Sequence, residues 1–159
     1  VCIAASPRRS ILFIKPSDAG KVSALSRSII ISAMAEAELT VVYVTSTVRS
    51  PEAQANAMYN NQRNGNRITY KEAGTKVQEC YPNKQKMIDK IYELGPYNVS
   101  HHCGTPETLK KINVIDISWQ RVPVDKRRAF HNALLKRVNI LLDQFNSKDP
   151  AFHIEIKQY

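Results

Sequence analysis

Apolar residues at spacings of three and four, Val22, Leu25, Ile29 and Ala33, predict a helix over 17–36. The period then changes: a run rich in Val, Thr and Tyr over 39–47 predicts a strand, and a helix over 51–62 opens on Pro51. Asn64-Gly65-Asn66 ends it. The stretch 67–83 is polar with weak periodicity and reads as a mobile flap, whereas 84–94 returns to helix and stops at Gly95-Pro96. Thr105 and Pro106 offer the cap and first position of a short helix, and the β-branched run from Asn113 to Ser118 reads as a strand. Phe130, Leu134, Val138, Leu141 and Phe145 predict one long helix over 125–145, crossing the sheet and separating Asp116 from the closing strand. From Ala151 to Ile156 the alternation has period two, with His153 and Glu155 on one face and Phe152, Ile154 and Ile156 on the other.

These elements make an α+β fold in which helices cover one face of a small antiparallel sheet and leave a cleft on the other. At 159 residues and 43% apolar content, the chain reads as a single domain over 17–159 behind an N-terminal extension, 1–16. No run of about 18 apolar residues is present, so no membrane span is expected. The start lacks an initiating methionine and the basic-then-apolar order of a signal peptide; it reads as processed, truncated or part of a longer protein. Cys2, Cys80 and Cys103 cannot all pair within one chain and lack zinc-finger spacing, which suits a reducing environment.

A formal charge of +9 favours anionic partners: nucleic acid, anionic lipid, or a bacterial cell wall bearing phosphates and carboxylates. The basic residues are dispersed from Arg8-Arg9 to Lys136-Arg137 without a nucleic-acid fold signature, which argues against specific nucleic-acid recognition.

Three of the four histidines, His101, His102 and His153, fall in two short segments. Asp116 stands inside an apolar strand, where an unpaired carboxylate would be costly to bury and so requires a cation or hydrogen-bond donors. Two histidines and an aspartate would hold a catalytic zinc with one position open for water, whose pKa the metal brings towards neutrality. No compact motif such as His-Glu-x-x-His occurs, so ordinary hydrogen bonding at strand ends accounts for the same residues equally well.

The segment Val44-Thr45-Ser46-Thr47-Val48-Arg49-Ser50-Pro51-Glu52-Ala53-Gln54 resembles the first signature of the zinc D-alanyl-D-alanine carboxypeptidase and L-alanyl-D-glutamate endopeptidase family. Ser100-His101-His102, the strand aspartate Asp116 and the late strand histidine His153 follow in that family's order. Asp149-Pro150-Ala151-Phe152-His153-Ile154-Glu155 is similar to the closing motif of its phage endopeptidases without matching it. The resemblance covers roughly residues 20 to 157. It implies a peptidase-like domain in which His102, Asp116 and His153 bind Zn2+, Arg49 holds a substrate carboxylate or the developing oxyanion, and Ser100 and Gln54 support the bound peptide.

Two departures bear on those roles. An insertion beginning Cys103-Gly104-Thr105-Pro106-Glu107 follows the first histidine and leaves His101 as an alternative to His102, which satisfies Ser-x-His. The family's general base lies three residues before the last histidine, where this chain has Pro150; Asp149 and Glu155 are the two candidates. The resemblance thus implies a zinc peptidase hydrolysing peptide bonds of bacterial peptidoglycan, in the manner of a phage lytic enzyme. A virion or the host cytoplasm would be its place, with virion or other assembly components as its partners. The alternative is a catalytically weak or inactive module of that fold, serving cell-wall binding or the structure of a larger assembly.

Overall fold

The computed structural model describes residues 7–66, 68–144 and 150–159. They fall into two compact units, one running to Thr47 and resuming at Lys111, the other Val48–Lys110. The strands are β1 (Ser10–Phe13), β2 (Val41–Ser46), β3 (Ile112–Ser118), β4 (Ile140–Gln144) and β5 (Ala151–Lys157). In chain order the helices are α1 (Ala24–Glu36), α2 (Pro51–Arg63), α3 (Glu72–Gln78), α4 (Lys84–Leu94), α5 (Pro96–Val99), α6 (Pro106–Lys111) and α7 (Arg127–Leu135).

The first unit holds a five-stranded sheet of order β1-β2-β3-β5-β4, parallel only between β1 and β2. Ile30, Ala33 and Met34 of α1 and Phe130, Ala133 and Leu134 of α7 pack against Val42, Val44, Ile115, Ile117, Phe152, Ile154 and Ile156. Full burial of each large side chain among them is worth about 1.5–3 kcal/mol. Phe130 meets Phe152 edge-on, with ring centroids 5.3 Å apart. Asn113 shares that face and ties sheet to helix: its Oδ1 accepts from the Ser23 N–H at 2.9 Å and the Ser26 hydroxyl at 2.7 Å. The α+β architecture with helices on one face is thus the one observed.

Several element boundaries differ from the sequence pattern. The helix expected from residue 17 starts at Ala24, because the Ser23 side chain caps it by accepting from the Ser26 N–H, while Pro16–Lys21 forms a 3-10 turn. Residues 10–13, read as part of an extension, form the edge strand β1.

The long helix expected over 125–145 is corrected to α7 followed by β4. Asn139 breaks the helical path: its N–H donates to the Glu155 carbonyl at 3.0 Å and its Oδ1 accepts from the Lys157 N–H at 2.7 Å, opening the ladder with β5. Leu141 then packs on the core while Leu142 is 45% exposed, an alternation that belongs to a strand. Phe145 lies outside the described residues. Without a helix between them, β3 and β5 are direct neighbours.

The second unit is helical. Ser50 caps α2 by accepting from the Ala53 N–H, Asn83 caps α4 in the same way through the Lys86 N–H, and α4 ends at Gly95, whose φ of 91° suits only glycine. The stretch expected as a flap contains α3, and its Val77 is buried with Ala55, Met58, Met87, Ile91 and Cys103. At seven residues α3 is too short to display a period.

Candidate active site

In the first unit, alternation places Val114, Asp116 and Ser118 of β3, with Ala151, His153 and Glu155 of β5, on the face opposite the core. The register sets Asp116 directly across from His153 and Val114 across from Glu155. His153 is clasped on both sides: Nδ1 lies 2.8 Å from Asp116 Oδ1 and Nε2 lies 2.8 Å from Glu155 Oε1. His153 is 1% exposed and Glu155 is fully buried.

Burial is the largest single influence on the His153 imidazole and pushes its pKa down, but the hydrogen bonds and charges of Asp116 and Glu155 together outweigh it, so the pKa lies above the ordinary value. Without metal, the two carboxylates thus hold a proton on the imidazole more tightly than water would.

The same three residues suit a zinc ion. Two ligand atoms on one tetrahedral ion stand about 3.3 Å apart at Zn–N and Zn–O lengths of about 2.0–2.1 Å. The His153 Nδ1 and Asp116 Oδ1 atoms need open by only a few tenths of an ångström to reach that spacing. The Nε2–H then donates to Glu155, the carboxylate–histidine–metal relay that fixes ring orientation and raises ligand basicity.

The second unit holds Arg49, Gln54 and the segment Ser100-His101-His102-Cys103. Arg49 forms an isolated parallel bridge with Cys103: its N–H donates to the His102 carbonyl at 2.6 Å, and the Gly104 N–H donates to the Arg49 carbonyl at 3.0 Å. Glycine permits this approach, since a Cβ at position 104 would stand 2.8 Å from Val48 Cγ2. The sequence-predicted carboxylate holder and the Ser-x-His segment are thus locked together through their backbones.

Ser100 Oγ accepts from the His102 N–H at 3.3 Å. His101 instead stacks on Tyr97, centroids 4.3 Å apart at 12°. Tyr97 was not singled out by sequence reasoning; it lies on α5, and His101 reaches it from the turn that follows the helix. Gln54 is 8% exposed, and its buried Oε1 has no hydrogen-bond partner among the described residues. Asp149 lies outside the described residues.

Cys103 is fully buried, and burial pushes its thiol pKa up to about 12 despite the nearby Arg49 charge. In folded protein at neutral pH, maleimide is expected to label the half-buried Cys80 and to reach Cys103 only on unfolding, as read by mass spectrometry of the digested chain. Rapid native-state labelling of Cys103 would show that the Arg49–Cys103 bridge opens readily.

Compared with family models, with curated proteins and with solved structures, the chain matches none, so its function is read from the site itself.

Proposed function

We propose that this chain is a zinc-dependent peptidase that hydrolyses peptide bonds of bacterial peptidoglycan. The observation that carries the reading is the Asp116–His153–Glu155 arrangement, in which a ligand pair stands across two strands with a buried carboxylate behind the imidazole. The motif order described above assigns the third ligand to His102. Zinc, when bound, supplies Lewis acidity that polarises the scissile carbonyl and acidifies the attacking water.

The chain's own residues do the rest. Glu155 holds His153 in the tautomer that leaves Nδ1 able to ligate, and its burial suits it to that orienting role better than to proton transfer. Taking the proton from the attacking water then falls to Asp149, the other candidate base. Arg49 offers paired N–H donors to a carboxylate or to the oxygen on which negative charge develops. The motif resemblance gives Ser100 and Gln54 the part of supporting the peptide.

A second reading has its own support. Both ring nitrogens of His153 are satisfied within the first unit, as expected of a structural hydrogen-bond network in a non-catalytic module used for cell-wall binding or assembly. Digestion of purified peptidoglycan by the zinc-loaded protein separates the two. New peptide termini, identified by mass spectrometry and reduced to background in His102→Ala, are the expected result. Stoichiometric zinc without any release would favour the module.

A further inference from the structure

We propose that Arg121, seated over the ring of Tyr43, receives a carboxylate of the bound peptide and makes the protein prefer acidic over amidated stems. The proposal deepens the peptidase reading and rests on it for the identity of the ligand.

Val42 and Val44 of β2 face the core, so Tyr43 between them faces the other side, which carries Asp116 and His153. Val44 pairs with Ile117 in the antiparallel ladder, which puts Tyr43 beside Ser118; past Val44 a bulge shifts the register so that Asp116 lies opposite Ser46 on the same two strands. The turn after β3 then brings Arg121 back to that face. Its N–H donates to Ser118 Oγ at 3.4 Å, the Val122 N–H donates to the Trp119 carbonyl at 3.2 Å, and buried Val122 anchors the turn. The Arg121 guanidinium carbon ends 5.4 Å from the centroid of Tyr43.

Three other arginines of this unit have donors engaged by neighbouring oxygens. Arg27 donates to the Val22 and Ala19 carbonyls, Arg127 to those of Trp119, Val122 and Gln120, and Arg137 to the Ala133 carbonyl and Glu36. Arg121 is exposed, and no carboxylate among the described residues pairs with it. A guanidinium held over a ring by its charge is restrained in position without spending its N–H donors on a hydrogen-bond acceptor. A planar cation restrained in that way, one strand from the ligand pair, is complementary to a carboxylate close to the scissile bond.

The test uses a peptidoglycan stem pentapeptide with its carboxylates free and the same peptide with them converted to carboxamides. Calorimetry gives Kd for each on wild type, Arg121→Ala and Arg121→Lys, with zinc stoichiometry measured in parallel. Wild type is expected to bind the acid form about tenfold more tightly. Arg121→Ala should lose a clear part of that preference and keep what Arg49 contributes, Arg121→Lys should fall between the two, and zinc content should not change. An undiminished preference in Arg121→Ala, or none in wild type, overturns the proposal while leaving the peptidase reading to its own digestion test. If wild type takes up no zinc yet shows an Arg121-dependent preference, the peptidase reading fails and the carboxylate site stands.

Discussion

Replacing His153 with alanine is expected to destabilise the metal-free protein by about 3–5 kcal/mol and to abolish zinc uptake. The cost arises from Glu155, which is fully buried and whose Oε1 has the His153 Nε2 at 2.8 Å. Removing the imidazole takes away one of the contacts that offset the desolvation of a carboxylate in a low-dielectric site. In a chain of this size the melting temperature should fall by roughly 10 °C. Urea unfolding in the presence of a chelator measures the loss. Adding Glu155→Gln to His153→Ala should recover part of it, since the neutral amide is cheaper to bury, and a double-mutant cycle then gives the coupling. A His153→Ala protein within about 1 kcal/mol of wild type would show that the pair contributes little to stability.

The fold was legible where one periodicity dominated. Alternation from Ala151 to Ile156 and the β-branched run at Asn113 to Ser118 gave β5 and β3 and told which residues of each strand share a face. It failed where a local pattern was outweighed by long-range pairing. Val138 and Leu141 satisfy helical spacing from Phe130 and Leu134, yet the free edge of β5 and the two Asn139 hydrogen bonds draw Ile140–Gln144 into the sheet. β1 was hidden for a related reason: four residues at a sheet edge carry no period of their own, and only pairing with β2 defines them.

The candidate site was legible in its residue types more than in its geometry. Scarcity of histidine and the misplaced aspartate pointed to His153 and Asp116, and the period of two put Glu155 on the face of His153. Cross-strand register, which sets Asp116 opposite His153, depends on the whole ladder and is not written in either strand alone. Sequence reasoning left Glu155 between base and orienting residue; the 2.8 Å contact to Nε2 favours the second. Arg49 and His102 meet through backbone atoms, which residue types cannot foretell. The placement of Arg121 over Tyr43 joins residues distant in sequence and likewise emerges only from the folded sheet.

The stability of the metal-free protein is expected to fall as pH rises through the titration of His153, and zinc affinity to rise over the same window. His153 titrates above its ordinary value of 6.5 because Asp116 and Glu155 favour the imidazolium. A raised folded-state pKa means that the folded protein binds the proton more tightly than the unfolded chain. The contribution is therefore fully present below about 6.5 and disappears as pH rises through the higher folded value, at about 1.4 kcal/mol for each unit of the shift. Both carboxylates are ionised in the unfolded chain throughout this window, so they do not reverse the sign. Zinc competes for the same imidazole, since ligation needs its lone pair and must release the proton. Affinity should climb about tenfold per pH unit until the raised pKa is passed and then level off. Urea midpoints from about pH 5 to about pH 9, with chelator and with zinc, should converge at the acid end and separate towards the alkaline end. His153→Gln should flatten the metal-free curve. If wild type is equally flat, and zinc affinity does not depend on pH, then His153 is neutral in the metal-free protein and Asp116 and Glu155 merely accept or share hydrogen bonds with it.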